Sequence, residues 1–310
     1  GTVWGWRSLF VLGVAFGLFV AVLTWSRVNH VWAEAKGEPF DIAGAVSYSL
    51  PLLLLMYGIT ILPSLLGVLC ATAGVIGLAI FVRRQSGEAS PVLDVRLFSG
   101  NIHFAMSSLA TFVSYSAVWA VSFLLSMYLQ YVKELSARDA GLVMVSQPVL
   151  QTLCSPIAGR LSDRLEPQVV ASLGMVLTFF GLAVLAIVDG STSLAYVIAA
   201  LVVCGLGFGL FAAPNANAVM GSVPRTSFGV ASAIINTMRV TGQMMSMGIA
   251  TVLIALIVGV VQITPEHYPN FLQSVRTAFA LFAVLCLVAA TASMASSRPR
   301  MRIDKPGRIY

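Results

Sequence analysis

GRLSDRLEPQ, residues Gly159 to Gln168, holds two arginines, an aspartate and a glutamate within ten residues. Long runs with almost no charge lie on either side. The chain has 310 residues, 58% hydrophobic and only 10% charged, with a mean hydropathy of +0.91. A soluble domain carries about a quarter charged residues, so this composition belongs in lipid. A charged connector between such runs reads as a short solvent-facing turn between two membrane spans.

Working outward, a span needs about 20 apolar residues, because a helix rises about 1.5 Å per residue against about 30 Å of hydrocarbon. Nine segments qualify: 8–25, 42–62, 65–82, 102–131, 141–159, 168–188, 194–221, 228–261 and 272–296. This predicts an all-α membrane protein with nine transmembrane helices. Only Pro63 and Ser64 join the second span to the third, which makes those two a tight helical hairpin. The fourth and eighth are long enough to tilt or to project beyond the lipid.

Orientation follows from the cations in alternate loops. One side collects Arg27, Lys36, Arg83, Arg84, Arg96, Arg160, Arg164, Arg225 and the tail cations Arg298, Arg300, Arg302, Lys305 and Arg308. The other has Arg7, Lys133, Arg138 and Arg276. The richer side is expected to be cytoplasmic, with the C-terminus on it and the plasma membrane as location. The net charge of +6 then faces anionic headgroups, and no nucleic-acid partner is called for. Cys70, Cys154, Cys204 and Cys286 all fall in apolar stretches without metal-ligand spacing, and read as small buried hydrophobes.

The connector resembles the signature loop of the major facilitator superfamily, with Gly159, Leu161, Asp163 and Arg164 in the matching positions. Glu166 departs from the glycine or basic residue found downstream in that family. The resemblance implies a cytoplasmic latch between two six-helix bundles. GLGFGLFAAPNANAVMGSVPRTSFGVASAIINTMRVTGQ, Gly205 to Gln243, resembles the fourteen-span drug:proton antiporters of the EmrB/QacA type through its Pro-Asn step, Gly229–Ser232, Arg239 and Gly242. WRSLF at the start, FDIAG before the second span and LDVRLF before the fourth resemble that subfamily's points of passage between its parts.

The resemblance implies an organisation as the rear two-thirds of such a transporter. Residues 1–26 would be the last helix of an N-terminal bundle whose other five helices are expected ahead of Gly1. Residues 27–100 would hold two extra central spans with cytoplasmic linkers, 101–297 the second bundle, and 298–310 a basic cytoplasmic tail. It also implies secondary transport of amphipathic compounds, driven by a proton gradient and without an enzyme's chemistry or a cofactor. A solute importer of the same fold and a non-transporting membrane scaffold are the alternatives. Lipid, a small amphipathic substrate and the first bundle are the expected partners.

Few polar residues fall inside the spans. Arg239 lies about 16 Å into its helix by helical rise, where an unpaired charge costs a few kcal/mol. Ser232, Asn236, Arg239, Gln243 and Ser246 recur at spacings of three and four, as one polar stripe. Two readings stay open: a stripe lining a watered path on which Arg239 meets an anion or carboxylate, or a structural arginine that snorkels. Pro214 frees a backbone carbonyl near Leu210 and Asn215 follows it, so this span is expected to face the bundle interior. Gly205, Gly207 and Gly209 suit close helix contact. Gln147 and Gln151 lie one turn apart, and Tyr115, Trp119 and Ser122 share a face. They either line a pocket for a flat amphipathic molecule or serve interhelical contacts. The 12 acids all lie in loops or at span ends, so a proton carrier is expected outside these nine spans. No metal cluster, phosphate-binding loop or nucleophile–base pair is recognisable.

Overall fold

The computed structural model describes residues 7–27, 41–85, 98, 100–259 and 264–296. Lys36, Arg96, the basic tail 298–310 and most of the two linkers lie outside the described residues. The chain divides into two units, residues 1–39 and 40–310. Among the described residues the first contains one helix, α1 (Arg7–Arg27).

The second unit opens with α2 (Ile42–Thr60) and α3 (Leu65–Gln85). Asp41 starts α2 by accepting from the Gly44 amide at 2.7 Å, and its other carboxylate oxygen receives Gln85 Nε2 at 3.4 Å. The two ends of the hairpin are thereby tied together.

Six spans follow, formed by α4 (Ile102–Met127), α5 (Ala137–Met144) with α6 (Ser146–Arg164), α7 (Pro167–Leu185), α8 (Leu194–Gly221), α9 (Phe228–Ile257) and α10 (Tyr268–Ala295). Among the described residues nine spans are long and apolar enough to cross a membrane. Asn101, Ser136 and Ser193 cap α4, α5 and α8 by accepting from the amide three residues on, the usual remedy for a helix's unpaired first donors. The outward faces keep large apolar side chains exposed, among them Ile157, Phe180 and Ile187, as lipid contact requires.

In the bundle α8 is central, packed against α7 on one flank and α6 on the other; α10 bridges α7 and α4, and α4 continues to α9. Gly205 and Gly207 make the sandwich possible. A Cβ on Gly205 would stand 2.5 Å from the Gln147 carbonyl oxygen of α6, and one on Gly207 2.6 Å from the Gly174 carbonyl oxygen of α7. Backbones approach here as closely as small residues allow. The hairpin joins the bundle through α9, where Tyr48 donates to the Thr237 hydroxyl at 3.0 Å.

Two expectations change. The fifth span is longer than 141–159 and broken at Val145. Pro148 has no N–H for the Met144 carbonyl four residues back, so the ladder lapses there. The charged stretch is also not a loop from Gly159: α6 continues through Arg164, leaving only Leu165 and Glu166 before α7. Pro167 takes the first position of α7, and its ring drives Glu166 into extended backbone (ψ 124°). Asp163 and Arg164 are exposed on the last turn, and their side chains make no hydrogen bond or ion pair among the described residues. Neighbouring Ser162 makes the contact instead, accepting from Asn217 of α8 at 3.2 Å.

At the opposite end of the bundle the turn after α7 is gripped from α10 and from the segment Tyr128–Lys133 that follows α4. Arg276 donates to the Val188 carbonyl at 2.5 Å, Tyr128 to Asp189 at 2.6 Å and Lys133 to Gly190 at 2.7 Å. Within the turn, Asp189 accepts from the Ser191 amide and from the hydroxyls of Ser191 and Thr192, and its carboxyl is held at about 2 by these bonds, those from Ser191 first.

Candidate functional site

A cavity of about 400 Å³ opens at mid-depth between α4, α6, α8 and α9. Helix α4 supplies Tyr115, Val118, Trp119 and Ser122, which share a face because they recur at helical spacing. Helix α6 supplies Gln147, Pro148 and Gln151, its first turns after the break at Val145. Phe208 comes from α8, and Arg239, Val240 and Gln243 from α9. Four helices therefore place three primary amides, three aromatic rings and one guanidinium around a single space.

The walls are held in place from behind. Phe208 meets Tyr115 edge-on, with ring centroids 5.2 Å apart and planes at 85°. Gln147 is buried against Gly205, and Trp119 is exposed. Arg239 donates from Nη2 to Asn236 Oδ1 at 2.5 Å, and Tyr115 lies near enough to feel its charge. Among the described residues Arg239 has no carboxylate partner. The described acids, such as Asp139, Asp163, Asp189 and Glu266, sit at helix ends or in turns.

The polar stripe on α9 divides. Arg239 and Gln243 face the cavity, whereas Ser246 is fully buried against α4 and accepts from the Ala120 amide at 2.9 Å. A helix drifts about 20° per seven residues against a straight stripe, so Ser246, lying 14 residues beyond Ser232, turns into the α4 interface. Asn236 does not line the cavity and reaches it only through Arg239.

Asn215 also departs from the expected path. It lies on the Phe208 face of α8, about 10 Å further along by helical rise, where α4 and α8 close together. There it is buried and donates to Thr111 Oγ1 at 2.7 Å and to the Ser107 carbonyl at 3.3 Å. Among the described residues its Oδ1 and the Ser107 and Ser108 hydroxyls have no partner, which makes this seam polar without joining it to the cavity.

Phe208, Val118 and Val240 were not legible as lining residues. The signal for Phe208 was a lone bulky ring between two glycines, which leave it unobstructed on a closely packed helix. Val118 and Val240 carried none, since a valine in a span reads as lipid contact or core. Cys204 and Cys286 are buried, and Cys70 and Cys154 are half-buried. Among the described residues no group of three metal-ligating side chains occurs.

Known proteins resemble this chain in sequence. The chain is similar to the riboflavin transporter RibZ of Clostridioides difficile, at 28% identity over 235 residues, which cover 76% of this chain and 51% of that protein. It is similar to the multidrug efflux pump LfrA of Mycolicibacterium smegmatis, at 28% over 302 residues, covering 94% and 60% respectively. It is also similar to the multidrug resistance protein Stp of Mycobacterium tuberculosis, at 26% over 244 residues, covering 77% and 45%. The chain spans about half the length of the curated relatives it matches. Residues 107–308 match the Major Facilitator Superfamily in sequence. With more than half its length in that match, and its last six spans packed as one bundle, the chain belongs to the Major Facilitator Superfamily.

Proposed function

We propose that the full-length protein is a secondary active transporter that exports amphipathic, drug-like compounds in exchange for protons. The cavity at mid-depth carries this reading, because it gathers Tyr115, Trp119, Gln147, Gln151, Arg239 and Gln243 from three separate helices. Its volume falls in the roughly 300–1,000 Å³ range of small-molecule sites, and its ring walls with a few convergent polar groups suit such ligands. The printed names of two relatives, a multidrug resistance protein and a multidrug efflux pump, point the same way.

On this reading the protein is of the fourteen-span type. Helices α2 and α3 are the two extra central spans, and α4 to α10 form the second bundle. Substrate binds between this bundle and a first one, and the two rock about the site to alternate access, a behaviour described for this superfamily. Gly159, Leu161, Asp163 and Arg164 form the last turn of α6 at the cytoplasmic face, where the exposed Asp163 and Arg164 are free to latch onto the first bundle. The proton carrier lies outside the described spans.

Inverted membrane vesicles carrying the full-length protein test this. A proton gradient should drive accumulation of one or more dyes from a panel of neutral, anionic and cationic aromatics, and Trp119→Ala should reduce it. Absence of proton-dependent flux of any dye, with the protein present in the membrane, overturns the reading.

A further inference from the structure

We infer that the mid-depth cavity is built for planar aromatic monoanions, with the anionic group seated on Arg239 and the ring between Trp119 and Tyr115. This rests on the transport reading above and narrows it to one class of substrate.

The charge balance of the cavity comes first. Arg239 is the one ionised side chain among the lining residues, and no acid faces it among the described residues. Its side-chain partner, Asn236 Oδ1, is neutral and takes one of five guanidinium N–H donors. The remaining donors form a planar fork suited to the two oxygens of a carboxylate or sulfonate. Asn236 also orients the fork from one turn back, so less side-chain freedom is lost when an anion arrives.

The walls then select the rest of the ligand. Trp119 and Tyr115 stand one turn apart on α4, with Phe208 set edge-on behind Tyr115. Their faces offer stacking to a flat ring system. The amides of Gln147, Gln151 and Gln243 each carry a donor and an acceptor and no charge, so they suit ring carbonyls and heteroatoms of either polarity. A lipophilic cation finds the same ring surfaces but meets Arg239 with no carboxylate to offset it.

The test uses three ligands of one size and different charge: 2-naphthoate, 2-naphthamide and 1-methylquinolinium. Equilibrium binding of each to the purified full-length protein is measured by dialysis. We expect 2-naphthoate to bind at least about tenfold more tightly than the amide, with the cation weakest. Arg239→Gln should remove the advantage of the anion over the amide, while Arg239→Lys should keep part of it. Because the charge series is read on the unaltered protein, the test stands even if a variant fails to fold. Binding that is lost in Trp119→Ala but indifferent to ligand charge overturns this inference and leaves the transport reading intact. Failure of all three ligands to bind overturns this inference, while the vesicle flux of the dye panel decides the transport reading.

Discussion

Arg239 and Asn236 are bound to each other across one turn of α9, guanidinium Nη2 to amide Oδ1 at 2.5 Å. The contact sits at the cavity, and it fixes a charged side chain with a neutral partner. A carboxylate at position 236 would hold the guanidinium as well but cancel its charge. Asn236→Asp should therefore abolish anion binding while preserving fold, and Asn236→Ala should weaken it several-fold by freeing the side chain. Both are read from ligand affinity alongside thermal stability. Equal affinity in all three proteins would show that Asn236 does not set the guanidinium.

The hydroxyls of Tyr48 and Thr237 join the α2–α3 hairpin to the helix that carries Arg239. Hydrogen bonds between spans contribute about 0.6 kcal/mol on average. A double-mutant cycle of Tyr48→Phe and Thr237→Val should return a coupling of about that size. Measured by unfolding in detergent, a coupling near zero would show that the hairpin rests on α9 by apolar packing alone.

Close contact of α6 with α8 depends on Gly205. A methyl group there would meet the Gln147 carbonyl at 2.5 Å, a backbone atom that can move only with its helix. Gly205→Ala should cost about 1–3 kcal/mol through overpacking and displace Gln147, so ligand affinity falls together with stability. Gly190→Ala, in an open turn with nothing near the added carbon, serves as the comparison and should leave affinity unchanged.

The turn around Asp189 gives a dependence on pH. Its carboxyl is lowered from 3.8 to about 2, chiefly by the hydroxyl of Ser191, with Thr192 and the Ser191 amide adding to it. A depressed carboxyl contributes stability that is present above the unfolded value and disappears as pH falls through the folded one. Order in this turn should thus decline between about pH 4 and pH 2. Asp189→Asn should remove that dependence, as followed by hydrogen exchange at Ser191. An unchanged profile in the variant would assign the acid sensitivity elsewhere.

Much of the fold was legible because hydropathy and helix length are local quantities. The nine apolar runs and the mid-span position of Arg239 follow from reading along the chain, whereas the link read as Pro63 and Ser64 alone is four residues, Ile61 to Ser64, because α2 ends at Thr60. Where a proline acts on the ladder, the effect is local too, but the break at Val145 and the extension of α6 to Arg164 depend on which turn absorbs it. Periodicity likewise placed Gln147 next to Gln151, and Tyr115 next to Trp119, without saying that the two pairs meet.

Sequence by itself determined that this chain is a set of membrane-crossing helices with polar groups at stated depths, since lipid admits only helices and closed barrels and apolar runs of about 20 residues have the length of a helix. Only the tertiary structure decided which faces those helices turn to one another. It sends Ser246 into the α4 interface, Asn215 into a closed seam and Phe208 into the cavity wall, and it brings Tyr128, Lys133 and Arg276 onto the turn at Val188–Gly190. The physical reason is that a span offers lipid and protein equally apolar surroundings. Rotation about its axis is therefore set by close packing and by hydrogen bonds between residues far apart in the chain, which no pattern along one helix encodes.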